Sequence, residues 1–152
     1  LERTSFDELR GDDALLEDVI LHSVQVKASV VAEDEREGGR RRILNLGHTL
    51  AHAIEKCSRK YNHGEAVAIG LYHTTRAALA QNLIGKSDAD RIFALIERYG
   101  FDTELPVERK QLLKAIEGDK KRKGNTIHLI YPTKIGDVVD KVVAFADLAK
   151  AL

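Results

Sequence analysis

The chain has 152 residues, 43% of them hydrophobic, so it is long enough to bury one core and is expected to fold as one domain. Its 24 basic and 24 acidic side chains cancel, which excludes a global charge that would draw it to nucleic acid or to a membrane surface. No apolar run approaches the roughly 18 residues of a membrane span, and a single cysteine, Cys57, excludes an internal disulfide framework, so we expect a cytoplasmic protein.

Two helices are expected in the first part of the chain. Ser5 followed three residues later by Glu8 is the reciprocal capping pattern, and it predicts a short helix that ends near Gly11. A long helix follows, and its apolar residues are spaced to face a core: Leu15, Leu16, Val19, Ile20, Val24 and Val26. The segment "EREGGRRR" (35 to 42) contains a Gly-Gly pair, which predicts the end of this helix and a loop.

Helical periodicity returns after this loop. We expect helices over about 43–56, 64–83, 87–99 and 107–117, the third closed by Gly100 and the fourth preceded by Pro106. The 64–83 segment has one side of small residues, among them Ala66 and Gly70, which lets a neighbouring helix approach closely. The first two of these helices are therefore expected to pair at the centre of the domain.

The end of the chain changes character. In "NTIHLIYPTKIGDVVDKVV" (125 to 143) β-branched residues alternate on both sides of a turn expected over 132–136, which predicts a β-hairpin, and a short helix is expected over 144–152. The predicted fold class is an all-α multihelical domain with a small C-terminal β-hairpin. No internal repeat and no domain boundary is visible in the sequence.

Three histidines indicate a possible metal site. On a helix His48 and His52 share a face, about 5 to 6 Å apart between side-chain origins, and could reach a common ion. His63 precedes a predicted helix start, and Gly47 leaves space before His48. Two histidines at this spacing also occur by chance, so ordinary polar residues remain the alternative. A catalytic zinc needs about three protein ligands, so two histidines leave the set incomplete.

Two basic clusters suggest an anionic partner. The segment before the histidines carries Arg40, Arg41 and Arg42, and "GDKKRKGN" (118 to 125) is the second cluster. Most such runs are solvated faces, but guanidinium and ammonium groups are also what a small phosphorylated carboxylate requires. Lys27 lies in the apolar segment "VQVKASVV", where burying an unpaired ammonium is costly, so a position facing a pocket is expected.

The chain closely resembles the C-terminal domain of 3-dehydroquinate synthases in three ordered stretches: "VKASVVAEDEREGGRRRILNLGHTLAHAIE", "YNHGEAVAIGL" and "GDKKRKG". The resemblance covers about Ser5 to Asp140. It implies a two-domain family whose N-terminal α/β domain binds NAD and whose helical C-terminal domain supplies metal and substrate contacts. Residues 1–152 are therefore expected to be this C-terminal domain, without the NAD-binding domain.

The resemblance also implies roles for individual residues. His48 and His63 match two zinc ligands of the family, and the third ligand, a Glu, is expected to precede this chain. Substrate contacts are implied for Lys27, Arg41, Asn45 and His52. A further contact is implied for one of two neighbouring lysines, Lys120 or Lys121, and the resemblance does not decide which of them faces the substrate. Glu37 is expected to orient Lys27 or Arg41. The family commonly has Phe-Gly where this chain has Leu50 and Ala51, a change that keeps the site small.

The implied activity is that of an NAD- and zinc-dependent carbon–oxygen lyase of the shikimate pathway, which leads to aromatic amino acids. It converts 3-deoxy-D-arabino-heptulosonate 7-phosphate into 3-dehydroquinate and phosphate, with transient oxidation of one hydroxyl by NAD. The resemblance implies a homodimer and a small phosphorylated carboxylic acid as substrate, and the 152 residues alone are expected to be inactive. Two alternatives are a related cyclase that makes an inosose or valiolone, and a non-enzymatic metal-binding domain.

Overall fold

The computed structural model describes residues 1–34, 39–120 and 124–152, without the side chains of residues 119 and 120. In chain order it contains α1 (Phe6–Gly11), α2 (Asp13–Glu33), a 3-10 helix (Arg40–Asn45), α3 (His48–Cys57), α4 (His63–Ala80), α5 (Lys86–Arg98), α6 (Arg109–Lys120), β1 (Thr126–Lys134), β2 (Asp137–Ala144), a 3-10 turn (Phe145–Asp147) and α7 (Leu148–Ala151). This confirms the predicted fold class of a helical domain with one antiparallel hairpin. Within these ranges no helix is both long and apolar enough to cross a bilayer.

Side-chain caps begin the first two helices, and the cap of the first is the one that the sequence predicts. The Ser5 hydroxyl accepts a hydrogen bond from the backbone N–H of Glu8, whose carboxylate accepts from the Ser5 N–H. Asp12 caps α2 by accepting from the Leu15 N–H. The long helix ends at Glu33, before the Gly-Gly pair.

The expectation that the apolar residues of α2 face a core is wrong for most of them. Ile20 is 55% exposed, Val24 is 58% exposed and Val26 is 62% exposed, whereas Val30 near the end of the helix is buried. The physical reason is that α2 packs mainly against α1 and the 3-10 helix, and both are too short to cover its length. An apolar stripe predicts that a helix face prefers burial, but it does not supply the covering element.

The centre of the domain is the predicted pair α3 and α4. Gly47 has a left-handed backbone with φ of 77°, and the backbone of Gly70 lies against it. A Cβ built on Gly70 would lie 2.2 Å from the Gly47 carbonyl oxygen, so no side chain fits between the helices there. Buried Ala51 and Ile54 of α3 pack with Ile69 of α4 around this contact.

One hydrophobic core joins this helix pair to α6, the hairpin and the chain end. Leu112 of α6 and Ile127, Leu129 and Tyr131 of β1 are at most 2% exposed. The Tyr131 hydroxyl donates to the carbonyl oxygen of Ala151 at 2.6 Å, which fixes α7 against the strand. The hairpin is thus held against the helices by its buried face.

The hairpin turn lies within the expected range 132–136 but is shorter and occupies the end of that range. Pro132 is buried inside β1, opposite Val138, and Ile135 and Gly136 form the turn between the strands. The register shifts between Pro132 and Lys134, which accommodates a proline without a backbone N–H. Gly136, the second central residue of the turn, has φ of 88°, a backbone conformation that glycine adopts without strain.

Candidate functional site

An open pocket of about 680 Å³ lies between the 3-10 helix, α3, α6 and the hairpin. Its lining is mixed: α6 contributes apolar residues only, and the other three elements contribute polar groups together with a few apolar ones. The lining residues are Arg42, Asn45, His48, Thr49, His52, Ala53, Lys56, Ala115, Ile116, Thr126, Ile127, His128 and Ile130. Two predicted substrate contacts, Asn45 and His52, and one predicted metal ligand, His48, therefore face the same space.

His48 is the first residue of α3, because the left-handed Gly47 ends the 3-10 helix and starts a new one. Its Nδ1 lies 3.0 Å from the carbonyl oxygen of Leu46. A carbonyl can only accept, so Nδ1 carries the proton and donates. In the neutral ring Nε2 is then left with a lone pair, which is the form in which imidazole binds a metal.

His63 is the first residue of α4, where Asn62 and Glu65 form a capping box that fixes the helix start. Its Nδ1 lies 3.0 Å from Glu55 Oε1 at the end of α3. The carboxylate accepts the Nδ1 proton, and Nε2 is again the nitrogen left for a ligand. A carboxylate behind an imidazole is the usual support of a metal-bound histidine.

The three imidazole rings form a cluster across α3 and α4. The ring centroids of His48 and His63 are 5.3 Å apart, and His52 lies 5.8 Å from His48 and 6.1 Å from His63. Two imidazoles on one tetrahedral zinc, with Zn–N near 2.0–2.1 Å, have centroids roughly 5 Å apart. The His48 and His63 pair fits this separation and the donor chemistry. Among the described residues no set of three His, Cys, Asp or Glu side chains forms a complete metal site.

A charged network borders the pocket at the hairpin. Arg42 Nε donates to Asp140 Oδ2 at 2.8 Å, and His128 Nδ1 lies 2.8 Å from Asp140 Oδ1. The 3-10 helix sets this arrangement, because residues three apart share a face in it and Arg42 therefore aligns with Asn45. Lys56 lines the pocket further along α3.

Two further predicted substrate residues, Lys27 and Arg41, are described and do not line this pocket. Lys27 is exposed on α2, so the expectation that it faces a pocket is not met within the described residues. The reason is that α1 and the 3-10 helix leave most of α2 uncovered. Arg41 is half-buried, and its backbone N–H donates to Asp34 Oδ2 at 3.0 Å. Glu37, Lys121 and the side chain of Lys120 lie outside the described residues.

The predicted site did not include three basic or imidazole side chains of the lining. Lys56 follows His52 by four positions, so the face shared by His48 and His52 could have indicated it. Arg42 belongs to the first basic cluster, but its alignment with Asn45 depends on 3-10 geometry. His128 had no signal in the sequence, since only the packing of the hairpin brings it to the helices.

Comparison with known families matches residues 1–122 to the family described as 3-dehydroquinate synthase C-terminal. The 3-dehydroquinate synthase of Desulforamulus reducens is 39% identical over 157 aligned positions, which cover 100% of this chain and 44% of that protein. The 3-dehydroquinate synthase of Nostoc punctiforme is 42% identical, over 82% of this chain and 35% of that protein. The chain thus spans less than half the length of these relatives.

Solved structures of two sugar-phosphate cyclases share the fold. A 2-deoxy-scyllo-inosose synthase complexed with carbaglucose-6-phosphate, NAD+ and Co2+ has a TM-score of 0.77 at 23% identity, over 99% of this chain and 45% of that chain. ValA, a 2-epi-5-epi-valiolone synthase from Streptomyces hygroscopicus with NAD+ and Zn2+ bound, has a TM-score of 0.77 at 21% identity, over 96% of this chain and 44% of that chain. At these identities the likeness concerns the fold alone.

Proposed function

The chain belongs to the 3-dehydroquinate synthase family, and on that premise we propose that it forms the metal- and substrate-binding part of a 3-dehydroquinate synthase. The proposed reaction converts 3-deoxy-D-arabino-heptulosonate 7-phosphate into 3-dehydroquinate and phosphate. The NAD-binding part and one further metal ligand, a Glu, are proposed to come from residues outside these 152. That the 152 residues alone are inactive stays a prediction, as do the homodimer and the cytoplasmic location.

The observation that carries this proposal is the pairing of His48 with His63 beside the pocket. Both rings have Nδ1 engaged, one by the Leu46 carbonyl and one by Glu55, at 3.0 Å in each case. Both therefore retain Nε2, and the rings stand at a separation that suits one tetrahedral ion. Engagement of Nδ1 is shared by the exposed His22, so the short distance between the two rings is the part of this observation that supports a common ion.

We propose a bound divalent metal, zinc or a close substitute, together with NAD. When bound, the metal would supply a charge that polarises hydroxyl and carbonyl oxygens, and NAD would supply a hydride acceptor. The protein would contribute two imidazoles of fixed tautomer beside a pocket with a partly apolar wall. Support for both cofactors comes from the relatives of the same fold, which were solved with NAD+ and Co2+ or Zn2+.

Binding of the anionic substrate is proposed for the polar groups of the lining. The Asn45 amide and the Arg42 guanidinium can donate to phosphate or carboxylate oxygens. His52 can donate to the leaving phosphate and can move a proton, because imidazole changes protonation near neutral pH. Roles for Lys27, Glu37, Arg41, Lys120 and Lys121 rest on the family resemblance and stay proposals.

The test of the proposed function is a substrate comparison in a full-length protein that contains these residues. With NAD and zinc present, we expect phosphate release from 3-deoxy-D-arabino-heptulosonate 7-phosphate and none from glucose 6-phosphate, the substrate type of an inosose synthase. The reverse preference would support the cyclase alternative. A non-enzymatic metal-binding protein would release phosphate from neither substrate.

A further inference from the structure

The hairpin contributes a histidine to the pocket whose ring is held by a carboxylate. His128 Nδ1 lies 2.8 Å and 3.0 Å from the two carboxylate oxygens of Asp140. The Asp140 side chain is only 24% exposed, while His128 lines the pocket. All residues that the proposed function uses lie before residue 122, so this pair is additional to them.

The carboxylate decides which ring nitrogen of His128 is available to a ligand. An ionised carboxylate only accepts hydrogen bonds, so Nδ1 carries a proton and donates it to Asp140. In the neutral ring Nε2 is then a hydrogen-bond acceptor. An acceptor nitrogen is repelled by the lone pairs of an oxyanion, whereas it receives the proton of a hydroxyl group.

The distribution of charge around the pocket agrees with a hydroxyl group, and not an oxyanion, beside His128. Asp140 also accepts from Arg42 Nε at 2.8 Å, so its negative charge has a cationic partner. Among the described lining residues the two formal positive charges, Arg42 and Lys56, come from the 3-10 helix and α3. The hairpin contributes Thr126, Ile127, His128 and Ile130, which carry no fixed charge. The hairpin wall thus suits uncharged hydroxyl groups, and the opposite wall suits the anion.

We propose that His128 contacts a hydroxyl group of a polyhydroxylated, anionic ligand through Nε2, and that Asp140 is the positioning residue that fixes its tautomer. That this ligand is the sugar-phosphate substrate rests on the proposed function. Arg42 joins the two walls, because the same Asp140 carboxylate holds it and His128.

The test uses paired substitutions in a full-length protein that contains these residues. His128→Asn keeps an amide near the Nδ1 position but removes Nε2, and we expect KM to rise about tenfold with kcat within about twofold. His128→Gln places an amide near the Nε2 position, and since a hydroxyl can pair with either amide atom, we expect KM within about threefold of the original. The inhibition constant of inorganic phosphate should be unchanged in both variants.

A second histidine provides the matched control. His22 on α2 also faces an aspartate, with Nδ1 3.2 Å from Asp18 Oδ1, but both side chains are more than half exposed and neither lines the pocket. His22→Asn should leave KM unchanged. In the 152-residue chain without ligand, nitrogen NMR of the His128 ring should show the proton of the neutral form on Nδ1, and Asp140→Asn should remove that preference.

Each contrary outcome has a distinct meaning. An unchanged KM in His128→Asn, or a neutral ring with its proton on Nε2, would overturn the inference and leave the proposed function intact. If the phosphate inhibition constant rises as much as KM, His128 contacts the oxyanion and the hydroxyl assignment is wrong. A full-length protein that turns over no sugar phosphate would remove the proposed function and, with it, the substrate contact.

Discussion

Glu55 at the end of α3 and His63 at the start of α4 are joined by a hydrogen bond of 3.0 Å between Oε1 and Nδ1. The bond closes the short connection between the two helices and sets the tautomer of the ring. His48 is held in the same tautomer by a backbone carbonyl. Both predicted metal ligands are therefore oriented by groups that are not themselves part of the site, which reduces the ordering needed when an ion binds.

Removing this carboxylate should weaken metal binding without removing a ligand. For Glu55→Ala in a full-length protein we expect a zinc dissociation constant about 10- to 100-fold higher, measured by competition with a chromogenic chelator. Glu97→Ala, on an exposed position of α5, is the matched control and should change the constant by less than about twofold. Equal zinc affinities for Glu55→Ala and the unchanged protein would exclude a supporting role for Glu55.

The contact between Gly70 and Gly47 should make residue 70 intolerant of any side chain. We expect Gly70→Ala to lower the free energy of unfolding by about 1–3 kcal/mol or more, because a Cβ there would meet the Gly47 carbonyl and push α3 from α4. Gly118→Ala is the control: nothing lies within 4 Å of a Cβ at that helical position. It should raise stability by about 0.5–1 kcal/mol. Urea unfolding measures both, and equal stability of the two variants would refute the close approach.

A buried histidine outside the pocket should make stability depend on pH. His73 is 5% exposed, and its Nε2 donates to the Thr103 carbonyl oxygen at 2.9 Å. Burial lowers the pKa of His73, and the nearby Arg76 lowers it further. The unfolded chain, with a histidine pKa near 6.5, therefore binds the proton more tightly, so this contribution to stability is complete above about pH 6.5 and is lost as the pH falls below it.

His73→Gln isolates this effect, because the amide retains a donor near the Nε2 position but does not titrate. As the pH falls from about 7 to about 5, we expect the unchanged protein to lose more unfolding free energy than His73→Gln does. Thermal or urea unfolding at several pH values measures this difference. A difference that stays constant over the range would contradict the predicted titration.

Local sequence signals predicted the helices and the central pair, since each depends on neighbouring residues. The Ser5 and Glu8 cap, the small residues of α4 and the alternation in the hairpin act over a few positions. The exposed face of α2 could not be predicted in this way. Its apolar residues do recur at helical spacing, but whether they are buried depends on which other element packs against them.

The clustering of the three histidines follows from one continuous stretch of sequence, whereas the hairpin residues of the pocket come from a distant part of the chain. His48, His52 and His63 lie within sixteen positions, and helix geometry brings them together. Arg42 and Asp140, which form an ion pair, are 98 positions apart in the sequence. No local spacing indicates that they meet, or that His128 lies beside them. The helix predicted from residue 43 is a 3-10 helix followed by a new start at Gly47, which changes the arginine that faces the pocket.

The most direct test of the account is an anomalous difference map at the zinc edge, from crystals of a full-length protein that contains these residues and is loaded with zinc. We predict one peak about 2.0–2.1 Å from Nε2 of both His48 and His63, beside the pocket that Asn45 and His52 line. Zinc bound elsewhere, or a peak that persists at the same place in His48→Ala and His63→Ala, would contradict the claim that these two imidazoles hold the metal.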